Sequence, residues 1–464
     1  MLKNYNCIAA ISSPPGKGGV AIIRISGDDA LSLAAEVFFP VSGKSFLEAK
    51  PRMQTYGYII DDGERIDDVL ATYFPAPHSY TGENIVEIGC HGGILVTSLV
   101  LETILKKGAK AAEAGEFTKR AFINGRLSLT EAEAIGNLLE AQSREQVKLA
   151  SANSRKNLSD AIAEIRRDIT DVMSSIYARI DYPDEDLGDY SDTEVKSRLV
   201  GIRKKAETLR NTYKTGKAIK EGISTVIVGK PNVGKSSLYN TILGEERAIV
   251  TDIAGTTRDM LSESIPLGKV MLRLSDTAGI RERESVDLVE SIGIERSEKA
   301  LAESELIFAI FDLSREFDAE DEKLLESVKR ANGAKIAILN KADIAQKFDE
   351  SEICGAFIET IKVSAKNDGA ELCERLSSIV NSLFTDEKIV VGDGAIISSA
   401  RQNASLTRAI EGIDIAIENL NSGFPQDLVS SDIERALEAI SELDGRAVSE
   451  EIVADIFSKF CVGK

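Results

Sequence analysis

The chain has 464 residues, 43% hydrophobic and 28% charged, and its 75 acidic against 56 basic side chains give a formal charge of −19. At roughly 150 residues per domain, that length points to about three globular domains. The acidic balance and the lack of tryptophan speak against a chain-wide basic or base-stacking surface for nucleic acid.

In chain order, the opening MLKNYNCIAAISSPPGKGG turns to proline and glycine before a signal-length apolar run can form. Residues 1–118 alternate β-branched runs (VAIIRIS, ENIVEIG) with Gly/Pro turns and helical patches at 31–37 and 95–107, which predicts a mixed α/β domain. The most apolar stretch, GGILVTSLVLETIL, is too short to span a bilayer and carries Glu102. From Leu129 long helices are expected. Leu158, Ile162, Ile165, Ile169, Val172 and Ile176 form one helix stripe that ends near Pro183. The basic run IRKKAETLRNTYKTGKAIK, residues 202–220, reads first as a solvated helix face, with an RNA-binding stripe as the alternative.

STVIV at 224–228 opens a new pattern, continued by VMLRLS, LIFAIF and KIAILN with helical segments between them, which predicts a mainly parallel, doubly wound sheet. After Val391 helices return at 400–421, 428–443 and 450–460. One helical domain interrupted by an inserted nucleotide-binding domain is the economical arrangement, and separate flanking domains are the alternative. The expected segments are 1–118, 119–218, 219–384 and 385–464. Cys7, Cys90, Cys354, Cys373 and Cys461 contain no CxxC pair, so reduced thiols are expected, with no disulfide framework or zinc site. From these features a soluble cytoplasmic protein with no membrane role is expected.

Gly229-Lys-Pro-Asn-Val-Gly-Lys-Ser236 matches GxxxxGK[ST] between an expected strand and helix. Such a loop wraps its N–H groups, including those of Asn232, Val233, Gly234 and Ser237, around phosphates at a helix N-terminus. Lys235 would reach the outer phosphates and Ser236 would offer a hydroxyl to Mg²⁺. In TDIAGTTRD, which includes Thr251, Asp252, Ile253, Ala254, Gly255 and Thr256, Thr257 is the candidate to complete Mg²⁺ coordination. Asp276-Thr277-Ala278-Gly279 would follow metal and γ-phosphate. Asn340-Lys341-Ala-Asp343 offers a carboxylate to the guanine N1–H and amine, which adenine cannot satisfy. Ser364-Ala365-Lys366 would touch the base through backbone groups. Each alone has a bland reading as a cap or turn. In this order, at the carboxyl ends of strands, they imply GTP.

Together with PPGKGGVAIIRISG, SYTGENIVEIGCHGG, GEFTKRAFINGRLSLTEAEAI, VESIGIERS and the terminal CVGK, these motifs resemble the tRNA modification GTPases of the MnmE (TrmE) family along nearly the whole chain. The resemblance implies a multidomain α/β plus all-α fold. It would have an N-terminal α/β folate-binding and dimerisation domain, a split helical domain, and an inserted Ras-like doubly wound P-loop GTPase domain. It implies a homodimer working with an MnmG (GidA)-type flavoprotein in a heterotetramer on C5 of the wobble uridine of tRNA. A tetrahydrofolate, in 5-formyl or 5,10-methylene form, would supply the carbon. By resemblance the folate site uses Arg24, Glu87, Arg126 and Lys464. Cys461 is either a thiolate nucleophile or a terminal thiol that docks the tail. His91 is a turn histidine or, less simply, a proton shuttle.

Ile280 stands where a Ras-like switch has its water-orienting glutamine. The resemblance replaces that glutamine with K⁺, held by Asn232, Thr251, Ile253 and Thr256, and with a catalytic glutamate in VExxGIxR. That motif aligns Glu290, with Glu282 and Glu284 as rivals because of a longer spacer. A ribosome-assembly switch without modification chemistry is the runner-up, and a dynamin-like membrane GTPase is the third reading. Neither a KH-type GxxG loop nor a basic amphipathic helix supports them.

Overall fold

The computed structural model describes residues 7–181, 191–246, 262–275 and 299–464. The chain divides into two compact units. One comprises Met1–Leu139, Asn153–Gly188 and Gly423–Lys464, and the other Glu140–Ala152 and Asp189–Ser422.

The first unit is built on a seven-stranded sheet of β1 (Ile8–Ile11), β2 (Val20–Ser26), β3 (Phe38–Pro40), β4 (Gln54–Asp61), β5 (Glu64–Phe74), β6 (Ile85–His91) and β7 (Lys110–Ala111). Their order is β3-β4-β5-β6-β2-β1-β7, antiparallel except where β1 meets β7. Alternation sorts the two faces. Ala21, Ile23 and Ile25 point into a core with Val69, Ala71, Val86 and Ile88, closed by Leu33 of helix Ala30–Ala35 and by Val100 and Ile104 of helix Ile94–Lys106. Ile22 and Arg24 take the opposite face, with Glu87 directly across from Arg24. The β4–β5 hairpin, absent from the sequence expectation, lies between the edge strand β3 and β6.

The expected stripe lies on helix Asn157–Asp181, and all six of its residues are buried. That helix packs against Gln426–Asp444, whose Val429, Ile433, Ala436 and Ile440 are buried. In the second unit helix Asp192–Asn211 packs against Ala400–Asn421. Each pair thus joins a segment that precedes the second sheet in the chain to one that follows it. Capping fixes the ends: Ser191 Oγ accepts from Glu194 N, and Ser399 forms a capping box with Gln402. Within the basic run, Arg203 pairs with Glu207 and Asp414, and Lys217 with Glu305, as suits a solvated helix face.

The second unit also holds a six-stranded sheet of β8 (Ile223–Val228), β9 (Ser262–Leu267), β10 (Val270–Ser275), β11 (Leu306–Asp312), β12 (Ala334–Asn340) and β13 (Glu359–Lys362). Its order is β13-β12-β11-β8-β10-β9, parallel apart from β9. Helices Lys235–Glu246 and Gly369–Phe384 cover one face and Ala319–Arg330 the other. Strand order reverses about β8, so the crevice beyond the carboxyl ends is where a ligand belongs. No helix among the described residues is long and apolar enough to cross a membrane.

Candidate functional site

Residues 229–234 run from the end of β8 into the helix that begins at Lys235. Asn232 is exposed and adopts a left-handed φ of 65°. The Lys235 ammonium donates to the carbonyls of Gly229 at 2.5 Å and Lys230 at 2.9 Å, and its burial lowers its pKa from the ordinary lysine value. Ser236 is half-buried in the first turn of the helix, the end whose partial positive charge favours anions.

Asn340 ends β12 and is buried. Its Nδ2 donates to the Val233 carbonyl at 2.8 Å and its Oδ1 accepts from Ala365 N at 2.9 Å. One side chain thereby ties the phosphate loop, the NKAD turn and the SAK turn together. Gly234 makes this possible: at φ 112° its Cα faces Asn340, and a Cβ there would overlap the amide. Ser364 N donates to Asp368 Oδ2 at 3.1 Å, while Asp343 and Lys366 are exposed at the mouth of the crevice. Lys341 Nζ donates to Asp312 Oδ2 at 2.5 Å, and Asp312 also accepts from Ser314. Burial acts against the Asp312 carboxylate, but these partners prevail and hold its pKa below the ordinary aspartate value.

Sequence reasoning missed Asp312 and also Lys230, whose ammonium binds Asp318 Oδ2 at 2.6 Å and Asp321 Oδ2 at 2.7 Å. The available signal was the D-x-x-D capping pattern at 318–321 together with a cation inside the phosphate loop. Thr251, Asp252, Ile253, Ala254, Gly255, Thr256, Thr257, Asp276, Thr277, Ala278, Gly279, Glu282, Glu284 and Glu290 lie outside the described residues.

In the first unit Arg24 Nη2 donates to Glu87 Oε1 at 2.7 Å and Nε donates to the same oxygen at 3.0 Å. The guanidinium lies 5.3 Å from the ring centre of Tyr80 and 5.5 Å from that of Phe117. Phe117 N donates to the Lys464 carbonyl at 3.1 Å, Ser12 Oγ donates to the Gly463 carbonyl at 2.9 Å, and Val462 bridges Ala114. Gly463 has φ 95°, and a Cβ there would overlap the Ile11 carbonyl. The tail is therefore docked by main-chain groups, while the Cys461 side chain is exposed. Tyr80 and Phe117 were not among the expected residues. Arg126 is exposed, with its stem against Gly82 in the loop that carries Tyr80. His91 is the last residue of β6 rather than part of a turn, and its Nδ1 lies 2.6 Å from Asp67 Oδ1.

Residues 7–126 match the family described as the GTP-binding protein TrmE N-terminus, and residues 129–461 match the MnmE helical domain. The tRNA modification GTPase MnmE of Lactococcus lactis subsp. lactis (strain IL1403) is 40% identical over 471 aligned positions, covering 100% of both chains. That of Clostridioides difficile (strain 630) is 40% identical over 98% of this chain and 99% of the relative. Among solved structures, Era in complex with MgGDPNP and nucleotides of 16S ribosomal RNA is 26% identical, covers 40% of this chain and 65% of its own, and has a TM-score of 0.26. With both matched regions spanning nearly all of the sequence and the relatives aligned end to end, the chain belongs to the MnmE family of tRNA modification GTPases.

Proposed function

We propose that this chain is a K⁺-dependent GTPase that acts with an MnmG (GidA)-type flavoprotein on tRNA. The pair would place an aminomethyl or carboxymethylaminomethyl group on C5 of the wobble uridine, with a tetrahydrofolate supplying the carbon. The observation that carries the nucleotide half is Asn340, which holds phosphate loop and guanine-reading turns in one rigid group. Within that frame Lys235 would meet the outer phosphates, Asp343 would read guanine, and Ser236 with Thr257 would hold Mg²⁺. The hydroxyl at a helix N-terminus and the oxygen-rich set suit that ion. Asn232, turned outward by its left-handed φ, suits a monovalent cation closed over by Thr251, Ile253 and Thr256. Such a cation, when bound, offsets charge developing on the leaving phosphate, and Glu290 would orient the attacking water.

The folate half is supported by the Arg24–Glu87 pair beside two aromatic rings and the docked Lys464. A carboxylate can read pterin donors, and guanidinium and ammonium groups suit a glutamate tail. Lys464 and Arg126 would supply the further cations. Homodimer formation is supported by an exposed apolar row on the same face of the sheet. Tyr56, Leu70 and Ile22 lie there in register through Gly89, 51%, 42% and 39% exposed. The division into 1–118, 119–218, 219–384 and 385–464 belongs to this reading, as does a cytoplasmic setting.

Three measurements test it. GTP turnover should depend on K⁺ and rise in specific activity with protein concentration; equal rates in Na⁺ and K⁺ remove the cation from the mechanism. Glu290→Ala should keep GTP affinity and lose most turnover, whereas Glu282→Ala showing that phenotype alone transfers the role. Calorimetry of the full chain with 5-formyltetrahydrofolate should give saturable binding that Arg24→Ala weakens. No binding removes the folate half and leaves the GTPase half standing.

A further inference from the structure

Lys230 occupies a variable position of the phosphate-loop pattern, and the pattern assigns it nothing. Its side chain is nevertheless only 10% exposed, and its ammonium is shared between Asp318, which is 56% exposed, and Asp321, which is 6% exposed. Burying a lysine is costly unless the charge is paired, so this placement has to be supported by the two carboxylates. Burial lowers the Lys230 pKa, and the two carboxylates outweigh it, so the net direction is upward.

Those carboxylates are themselves fixed. Asp318 caps helix Ala319–Arg330, its Oδ1 accepting from Glu320 N at 2.9 Å and Asp321 N at 3.2 Å, while Asp321 Oδ2 accepts from Asp318 N at 3.3 Å. This capping box presents to the same ammonium the remaining Oδ2 of Asp318 and the very Oδ2 of Asp321 that closes the box. At its other end, the Lys230 carbonyl receives the Lys235 ammonium at 2.9 Å. A continuous chain of contacts therefore runs from the helix start, through the Lys230 side chain and backbone, to the amine that meets the phosphates.

We propose that Lys230 is a positioning residue for GTP hydrolysis, pinned by Asp318 and Asp321 so that its main chain sets the place of Lys235. Lys230 does not touch the nucleotide in this account. Both acceptors of its ammonium, the N-cap Asp318 and Asp321 in the first turn, lie at the start of helix Ala319–Arg330. The loop entry is held from outside by a charge-assisted pair, which is stronger and more directional than a neutral contact. Loss of that pin would leave the loop able to hold a diphosphate but less able to keep Lys235 aligned on the γ-phosphoryl group. Misalignment on the order of 1 Å is worth about 100-fold in rate.

The test uses the full-length chain, with kcat and KM for GTP, fluorescence titration with a labelled GDP, and thermal midpoints to choose an assay temperature at which every variant is folded. Lys230→Met, similar in length and uncharged, should lower kcat about 10- to 100-fold with GDP affinity within about threefold. Lys230→Arg should recover most of the rate, since it keeps the charge and can meet both carboxylates. If Lys230→Met does not fold, Asp321→Asn replaces it. An asparagine oxygen can still accept from Asp318 N, so the cap persists while one charge leaves, and a smaller kcat loss in the same direction is expected. A lysine that matters only for stability would lower the thermal midpoint with kcat unchanged in the folded enzyme, which overturns the proposal. Equal loss of GDP and GTP binding overturns it too, because Lys230 would then be a nucleotide contact. The proposal rests on GTP hydrolysis by this site. A wild-type chain without turnover would overturn both, whereas an active wild type with an unaffected Lys230→Met overturns the anchor alone.

Discussion

The nucleotide crevice and the Arg24 corner are assembled in opposite ways. The crevice takes short contiguous segments, each following a parallel strand, and brings them to one edge because parallel strands share a direction. Its parts are local, so each can be recognised before the fold is known. The Arg24 corner joins single residues from opposite ends of the chain: Arg24 and Glu87 on neighbouring antiparallel strands, Tyr80 in a loop, Phe117 on a helix and Gly463-Lys464 at the tail. Nothing local marks those residues as partners. A site made of segments advertises itself in sequence, and a site made of points does not.

The largest expected effect tests whether the crevice is a single unit. Asn340→Ala strands a buried carbonyl at Val233 and a buried N–H at Ala365, each costing about 1–3 kcal/mol. GTP affinity should fall about 100-fold by fluorescence titration, on the conversion of 1.4 kcal/mol per decade. Folate affinity should stay level. If calorimetry instead finds folate binding weakened as well, the two sites are energetically coupled and the contrast between them fails.

Gly463→Ala is the matching test at the corner. A side chain at φ 95° is strained, and its Cβ would overlap the Ile11 carbonyl, so the tail should lift from Phe117. Folate affinity should drop about 10-fold, with GTP affinity unchanged. An unaltered folate isotherm would mean the tail contributes nothing to that ligand. Smaller again is Arg24→Lys. It keeps the charge but loses the flat guanidinium between Tyr80 and Phe117 and one of its two bonds to Glu87. About a fivefold loss of folate affinity is expected, since lysine cannot reproduce stacked or forked contacts.

The fold was legible where periodicity was clean. The strands VAIIRIS, STVIV, LIFAIF and KIAILN and the 158–176 stripe appear where alternation or 3.6-residue spacing puts them. β9, SESIPL, escaped because serine, glutamate and proline are poor strand formers. It survives as an antiparallel edge, where Pro266 need not donate to a further strand. The β4–β5 hairpin escaped for another reason. Its strands carry Asp67 and Asp68 in mid-run, and the Asp62-Gly63 turn signal went unused although both residues adopt positive φ. Within the crevice, Lys230 and Asp312 were invisible because their roles depend on partners about 90 and 30 residues away, which a motif does not encode. At the corner, Arg24 and Glu87 came only through family resemblance, and Tyr80 and Phe117 did not come at all.

The smallest effect expected lies at the end of β6. His91 Nδ1 lies 2.6 Å from Asp67 Oδ1, and the His91 N–H donates to Asp67 Oδ2 at 2.8 Å. The hydrogen bond and charge of Asp67 raise the His91 pKa above its ordinary value, with Asp68 adding in the same direction. A raised folded-state value stabilises the protonated form in the native state. The contribution is therefore complete below the unfolded pKa of about 6.5 and is lost as pH rises through the folded value. Because the imidazole is exposed, solvent screens the pair, so the titration itself is a better readout than stability. In an NMR titration His91 should titrate above the ordinary histidine range, and Asp67→Asn should bring it back. A thermal-midpoint gap between wild type and Asp67→Asn should be wider at acidic than at alkaline pH. The opposite ordering would mean that Asp67 serves the backbone of β6 more than the imidazolium. The pair would then belong to the strand end of β6 rather than to any proton-handling role for His91.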